Sequence, residues 1–168
     1  MSVVKLIDIK EEVLAENRGL AERIREGLSE RGIALVNLMS SPGSGKTSLI
    51  VRTLAALRDD YRIAVIEGDI DSAVDAERVA AEGVPAIQIR TGGSCHLSPA
   101  MVEKGLASLP LESLDLLLLE NIGNLICPAE CDTGATLDVV MVSIPEGHDK
   151  PLKYPLAFRI ADVVLVNK

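Results

Sequence analysis

The junction at Ile33 to Leu57 constrains the fold more than any other part of the chain. A nearly continuous apolar run, IALVNLM (Ile33 to Met39), stops at SSPGSG and restarts as KTSLIVRTLAAL with apolar residues at helical spacing. A short run that is apolar on both sides of the chain marks a strand buried on both faces. A helix that begins directly after glycines turns its first N–H groups and its positive end toward the loop. Strand, Gly-rich loop and helix start together make a cradle for an anion. Residues Ser40 to Thr47 match the phosphate-binding pattern G-x-x-x-x-G-K-[ST], with Ser40 in place of the leading glycine.

The residue types follow from the chemistry. Gly43 and Gly45 let backbone N–H groups close on a polyphosphate, with Ser44 between them and Ser48 in the first helical turn. Lys46 reaches the β and γ phosphates, and the Thr47 hydroxyl is placed for Mg²⁺. A Mg-nucleotide site also needs acids at neighbouring strand ends. EGDI puts Asp69 just past a strand, and LLLLENIG puts Glu120 at the end of another. Either acid orders Mg²⁺ or positions the attacking water, so Lys46, Asp69 and Glu120 form the candidate catalytic set. Asp75 is a third acid nearby.

The rest of the chain repeats this alternation. An amphipathic helix covers about 8–31, with apolar positions from Val13 to Leu28 and Gly32 as its stop. Later strands are predicted at Tyr61 to Glu67, Ala86 to Ile89, Leu114 to Glu120, Leu137 to Ile144 and Ala161 to Lys168. Helices are expected over SAVDAERVAAEG and from Pro99 to Leu106. Apolar strands alternating with helices imply an α/β fold, a mainly parallel sheet with helices on both faces. In such sheets ligands bind beyond the carboxyl ends of the strands. At 168 residues a single domain is expected over 1–168.

Charge and cysteine content narrow the partners. A net charge of −8 argues against nucleic acid or an anionic membrane as the main partner. The N-terminus carries no apolar signal core, and no apolar run approaches about 20 residues. Three cysteines in such a chain point to a reducing cytoplasm and to metal-binding or buried thiols rather than bridges.

Cys95 and His96 follow a strand on the nucleotide side of the sheet, in the Gly-rich stretch TGGSCHL, and Cys127 follows the next strand on that same side. Two thiolates and an imidazole suit Zn²⁺ or Ni²⁺ far better than Mg²⁺. Three ligands leave a further position for water, a donated group or a second chain. Cys131 reads as a buried or incidental cysteine and His148 as an exposed loop histidine. Asn167 and Lys168, after VVLV, begin the N-K-x-D loop of guanine-specific sites. The chain stops before that motif's Asp, so the sequence reads as a domain whose C-terminal part lies beyond Lys168.

SSPGSGKT, EGDI, DAER, CHL, ENIGNLICPAE and EGHDKPLKYP, in this order, resemble the hydrogenase nickel incorporation GTPases of the HypB family over nearly the whole chain. The resemblance implies a P-loop NTPase fold, a G-domain of the SIMIBI type. It implies GTP and Mg²⁺ as cofactors, Ni²⁺ or Zn²⁺ at Cys95, His96 and Cys127, and delivery of Ni²⁺ to the [NiFe] hydrogenase large subunit. A nucleotide-linked homodimer and a HypA-type accessory protein are the implied partners. In a face-to-face dimer, Lys153 would reach the neighbour's γ-phosphate. The related urease accessory GTPase carries Cys-Pro-His at its metal loop, so SCHL favours the hydrogenase branch. A non-catalytic metal carrier or dimerisation module, and a partitioning-type ATPase, are the alternatives of other classes.

Overall fold

The computed structural model describes residues 9–70 and 74–168. Six strands, β1 (Ala34–Ser40), β2 (Ile63–Asp69), β3 (Ala86–Arg90), β4 (Leu116–Glu120), β5 (Leu137–Ser143) and β6 (Val163–Asn167), form one sheet in the order β3-β2-β4-β1-β5-β6. Every pairing between them is parallel. The helices are α1 (Ile9–Glu30), α2 (Lys46–Leu57), α3 (Val74–Ala80), α4 (Pro99–Leu106), α5 (Lys150–Lys153) and α6 (Pro155–Ile160).

The period of two in each strand sorts its residues between two cores. Ala64 and Ile66 of β2 join Leu117 and Leu119 of β4 beneath α1 and α4, where Ile24, Leu28, Val102 and Leu106 close the layer. Ile63, Val65 and Leu118 face the opposite way and pack with Ile50 and Leu54 of α2 and Val79 of α3. Both faces are therefore apolar, as the unbroken runs require. Burying each of these large side chains contributes roughly 1.5–3 kcal/mol. A smaller cluster of Met39, Val140, Leu125, Ala129 and Ala157 seats α6 beside β5.

Lys46–Leu57 and Pro99–Leu106 form as helices with the predicted bounds. Ser98 caps α4 by accepting the Met101 N–H at 3.4 Å, with Pro99 at the first helical position. Several strand starts lie two residues later than periodicity suggests. Tyr61 is exposed and Arg62 is held by Asp115, which accepts the Arg62 N–H at 2.8 Å and its guanidinium at 2.6 Å, so the ladder opens at Ile63. The start of the helix expected over SAVDAERVAAEG and residue 8 of the first helix lie outside the described residues. The short helices after β5, and single turns at Leu111–Ser113, Cys127–Glu130 and Ile144–Glu146, have no counterpart in the sequence reading, because they are too brief to show a period.

Candidate nucleotide and metal sites

β1 ends at Ser40, and residues 41–45 turn the chain into α2. Gly45 adopts φ 105° and Gly43 φ 76°, a region that side chains with a Cβ avoid. A Cβ on Gly45 would also stand 2.7 Å from Asn167 Nδ2. Ser40, which replaces the leading glycine of the pattern, is fully buried and has a use for its side chain. Lys46 Nζ donates to Ser40 Oγ at 3.0 Å, and Ser40 Oγ donates to the Ser41 carbonyl at 2.7 Å. Asn167 Nδ2 donates to the Ser44 carbonyl at 2.8 Å, and Lys168 Nζ donates to the Gly43 carbonyl, so both residues brace the loop.

The loop opens on a cleft of about 510 Å³ beyond the carboxyl ends of the strands. Gly43, Gly45, Lys46, Thr47 and Ser48 line it together with Asp69, Asp75 and Glu120. Thr47 Oγ1 donates to Glu120 Oε1 at 3.1 Å, which places hydroxyl and acid together as a Mg²⁺ site requires. Asp75 pairs with Arg78 at 3.5 Å one turn along α3. Burial lowers the Lys46 ammonium, while Glu120, Glu67, Asp75 and Glu146 pull it back up.

Glu67 belongs to this site although sequence reasoning passed over it. It continues the face of Ile63 and Val65, stands in register with Glu120 of β4 on one side and Gln88 of β3 on the other, and is buried. Burial first, then the Glu120 carboxyl, pushes Glu67 up to about 9. Burial also raises Glu120, against the opposing contacts of Glu67, Lys46 and Thr47. Glu67 Oε1, Glu120 Oε2 and Gln88 Nε2 are buried without hydrogen-bond partners among the described residues. Orphaned oxygens in such a floor fit a hydrated hard cation. An acid directly after the apolar run 63–66 and on the face of Ile63 and Val65 was the available signal.

Glu146 is a second addition. Its Oε2 accepts from Ser44 Oγ at 2.7 Å, from Ser143 Oγ at 2.6 Å and from the Ser143 N–H at 2.8 Å. Lys150 lies 3.4 Å from the same carboxylate and donates to Ser41 Oγ at 3.2 Å. Burial pushes this carboxyl up, but the hydrogen bonds from Ser143, Ser44 and Ser41 prevail and hold it at about 2. Lys153, by contrast, is exposed, pairs with Asp149 at 2.6 Å and does not line the cleft.

The thiol candidates lie next door. Cys95 Sγ is 3.7 Å from His96 Nδ1, and contact with the Cys127 thiol, then burial, raises the Cys95 thiol. His96 and Cys127 also line a hollow of about 190 Å³ with Glu130, Cys131 and Asp132. Among the described residues no three His, Cys, Asp or Glu side chains are arranged together to hold an ion. The structure thus brings Cys95 to both partners pairwise without closing a three-ligand site. Cys131 is half-buried, and burial, then Asp132, pushes it up to about 11.

Residues 34–168 match the family model described as the CobW/HypB/UreG nucleotide-binding domain. The chain is 46% identical over its whole length to the hydrogenase maturation factor HypB of Escherichia coli K12. It belongs to the HypB family. The nickel-complexed HypB of Helicobacter pylori superposes with a TM-score of 0.84 at 42% identity, over 90% of this chain and 71% of that one. HypB of Archaeoglobus fulgidus gives 0.83 at 45%, over 90% and 74%. The P-loop fold and the parallel sheet are therefore those of HypB proteins. The chain spans 58% of the length of the E. coli relative. No helix among the described residues is long and apolar enough to cross a membrane.

Proposed function

We propose that this HypB-family chain is a GTP-binding, GTP-hydrolysing metallochaperone domain that assists Ni²⁺ insertion into [NiFe] hydrogenase. The observation that carries the reading is the neighbourhood of two chemistries. Thr47 is bonded to Glu120 in the phosphate cleft, and on the adjoining loop Cys95 lies 3.7 Å from His96 with its thiol raised by that of Cys127. A relative complexed with nickel and relatives named as hydrogenase maturation factors support the choice of cargo.

In this reading the P-loop amides and Lys46 bind the β and γ phosphates, and Asn167 and Lys168 brace the loop on the guanine side. Thr47, Asp69 and Glu120 would hold Mg²⁺, which would supply charge neutralisation at the transferring phosphate. Glu120, Asp69 or Asp75 orients the attacking water. Ni²⁺ or Zn²⁺ is cargo at Cys95, His96 and Cys127, a thiolate and imidazole set that excludes Mg²⁺ by softness. Metal affinity falls as these ligands are protonated.

Cys127 follows Glu120, the last residue of β4, by seven positions, so a change at the γ-phosphate reaches a metal ligand within that span. GTP favours a homodimer in which Lys153 serves the partner's phosphate, and hydrolysis releases it. A HypA-type protein receives or supplies the ion in the cytoplasm. Hydrolysis is slow without an activator, on the order of 10⁻⁴ to 10⁻² s⁻¹.

Turnover of GTP and of ATP, with and without Thr47→Ala, tests the proposal. GTP-selective turnover lost in the variant supports it. No turnover with metal still bound would make the domain a carrier, and ATP preference would make it a partitioning-type ATPase.

A further inference from the structure

The segment Asn121–Asn124 lies against both sites at once. On the P-loop side, Asn124 forms an antiparallel bridge with Ser40, and a Cβ on Gly123 would stand 3.2 Å from the backbone of Pro42. There is no slack between this segment and the loop. On the metal side, Asn124 Nδ2 donates to the Cys95 carbonyl at 3.3 Å, and Asn121 Oδ1 accepts the Leu97 N–H at 3.2 Å. His96 is thus flanked before and after by bonds to the same four residues.

Each end of this arrangement is anchored. Asn121 is 1% exposed and follows Glu120 directly, on the face of Leu117 and Leu119. Its Nδ2 donates to Asn37 Oδ1 at 3.1 Å, and Asn37 Nδ2 donates to Asp138 Oδ1 at 2.8 Å. Leu97 is fully buried and packs so closely on Gly68 that a Cβ there would stand 2.7 Å from its Cδ1. Only a side chain with both a donor and an acceptor serves these positions, which is what an amide offers. Asn121 accepts from Leu97 while donating to Asn37. Asn124 donates to Cys95 while its Oδ1 accepts the Ile126 N–H at 2.9 Å.

We propose that Asn121 and Asn124 are positioning residues that transmit the state of the P-loop to the Cys95–His96 loop. This deepens the nucleotide-and-nickel reading above and rests on it. A shift of Pro42 and Ser40 on phosphate binding moves Gly123 and Asn124. Asn121, tied to the sheet through Asn37, acts as the fixed end. The movement is delivered to the carbonyl of Cys95, the residue whose thiolate binds the ion in that reading. Coupling of this kind needs a continuous set of contacts and a ligand that favours one arrangement over the other.

The test compares Ni²⁺ affinity of the chain with and without a non-hydrolysable GTP analogue and Mg²⁺, the ratio being the coupling factor. Asn124→Asp keeps the acceptor for Ile126 and removes the donor to Cys95; Asn121→Asp keeps the acceptor for Leu97 and removes the donor to Asn37. The wild-type chain is expected to show a factor in the ordinary allosteric range of about 5- to 150-fold. Asn124→Asp should bring it to within about twofold of unity, with the melting temperature and the affinity for the analogue close to wild type. Because Asn121 is buried, its variant is read only if it melts normally; the surface variant decides the matter alone. An Asn124→Asp protein that keeps the wild-type factor overturns the proposal. So does a wild-type factor of one, which leaves binding of both ligands intact. A wild-type chain that binds no Ni²⁺ or no analogue removes the underlying reading together with this one.

Discussion

Glu67 and Glu120 stand opposite one another on β2 and β4, two buried carboxyls in the floor of the nucleotide cleft, each with an oxygen that bonds to nothing among the described residues. Two like groups at low dielectric do not both ionise freely, and burial together with the Glu120 carboxyl pushes Glu67 up to about 9. The nearby Lys46 ammonium offsets part of this cost and is itself depressed by burial. Orphaned carboxyl oxygens in such a floor fit a hard cation.

Glu67→Gln removes one acid while keeping its shape. The nucleotide-free protein should become more stable by about 1 kcal/mol, a rise in melting temperature of roughly 2–4 °C for a chain of this size. Mg²⁺-dependent nucleotide affinity should fall by about tenfold, equivalent to roughly 1.4 kcal/mol. Thermal melts and a Mg²⁺ titration check both halves. A variant that melts below wild type would show that the acid stabilises the free protein.

The two loop glycines should answer differently to alanine. Gly43→Ala meets open space, so its cost is the left-handed backbone alone, about 1–2 kcal/mol. Gly45→Ala bears the same strain and also drives a Cβ into Asn167 Nδ2. It should cost at least about 1 kcal/mol more and break the bond from Asn167 to the Ser44 carbonyl. Equal melting temperatures for the two variants would mean that Asn167 moves aside freely.

Glu146 sets a pH dependence. Its carboxyl, ordinarily at 4.5, is held at about 2 in the folded chain. A depressed carboxylate contributes stability that is complete above the unfolded value and is lost as pH falls through the folded one. The gap in melting temperature between wild type and Glu146→Gln should therefore be constant above about pH 5.5 and shrink steadily from about 4.5 toward 2. A gap that stays constant down to pH 3 would place the carboxylate's value near normal and its bonds to Ser143 and Ser44 among the weak ones.

How much of this was legible in the sequence depends on the range of the contacts. GSGKT, the apolar strands and the helix from Pro99 carry their signals locally, and the corresponding elements formed within about two residues of the expected bounds. Glu67 did not stand out, because its importance comes from β4 lying beside β2, a pairing between residues 53 positions apart. The same is true of Glu146, whose carboxylate reaches Ser44 across 102 positions from a single helical turn without periodicity. Asn37 and Asn121 look like interruptions of apolar runs until register brings them within hydrogen-bond distance. Asp69 and Glu120 were expected at the cleft because strand ends in a parallel sheet share one edge, a rule that needs no knowledge of strand order, and both line it.

The cysteines give the last prediction. Cys95 Sγ lies 3.7 Å from His96 Nδ1 and its thiol is raised first by that of Cys127, whereas Cys131 is half-buried and burial, then Asp132, pushes its thiol up to about 11. A thiol must lose its proton to bind Zn²⁺ or Ni²⁺, and the ion must provide the free energy for that. Cys95→Ala and Cys127→Ala should each lower Ni²⁺ affinity by at least about a hundredfold, since each removes a charged ligand worth roughly 3 kcal/mol or more. Cys131→Ala should leave affinity and stoichiometry within about twofold of wild type, although its hollow also holds His96 and Cys127. Equilibrium dialysis with Ni²⁺ at pH 7.5 and at pH 6 separates the residues, because loss of affinity at the lower pH should follow the thiols that bind. If Cys131→Ala loses the ion as completely as Cys127→Ala does, the binding centre lies in the hollow beside α1 rather than at the exposed Cys95–His96 loop.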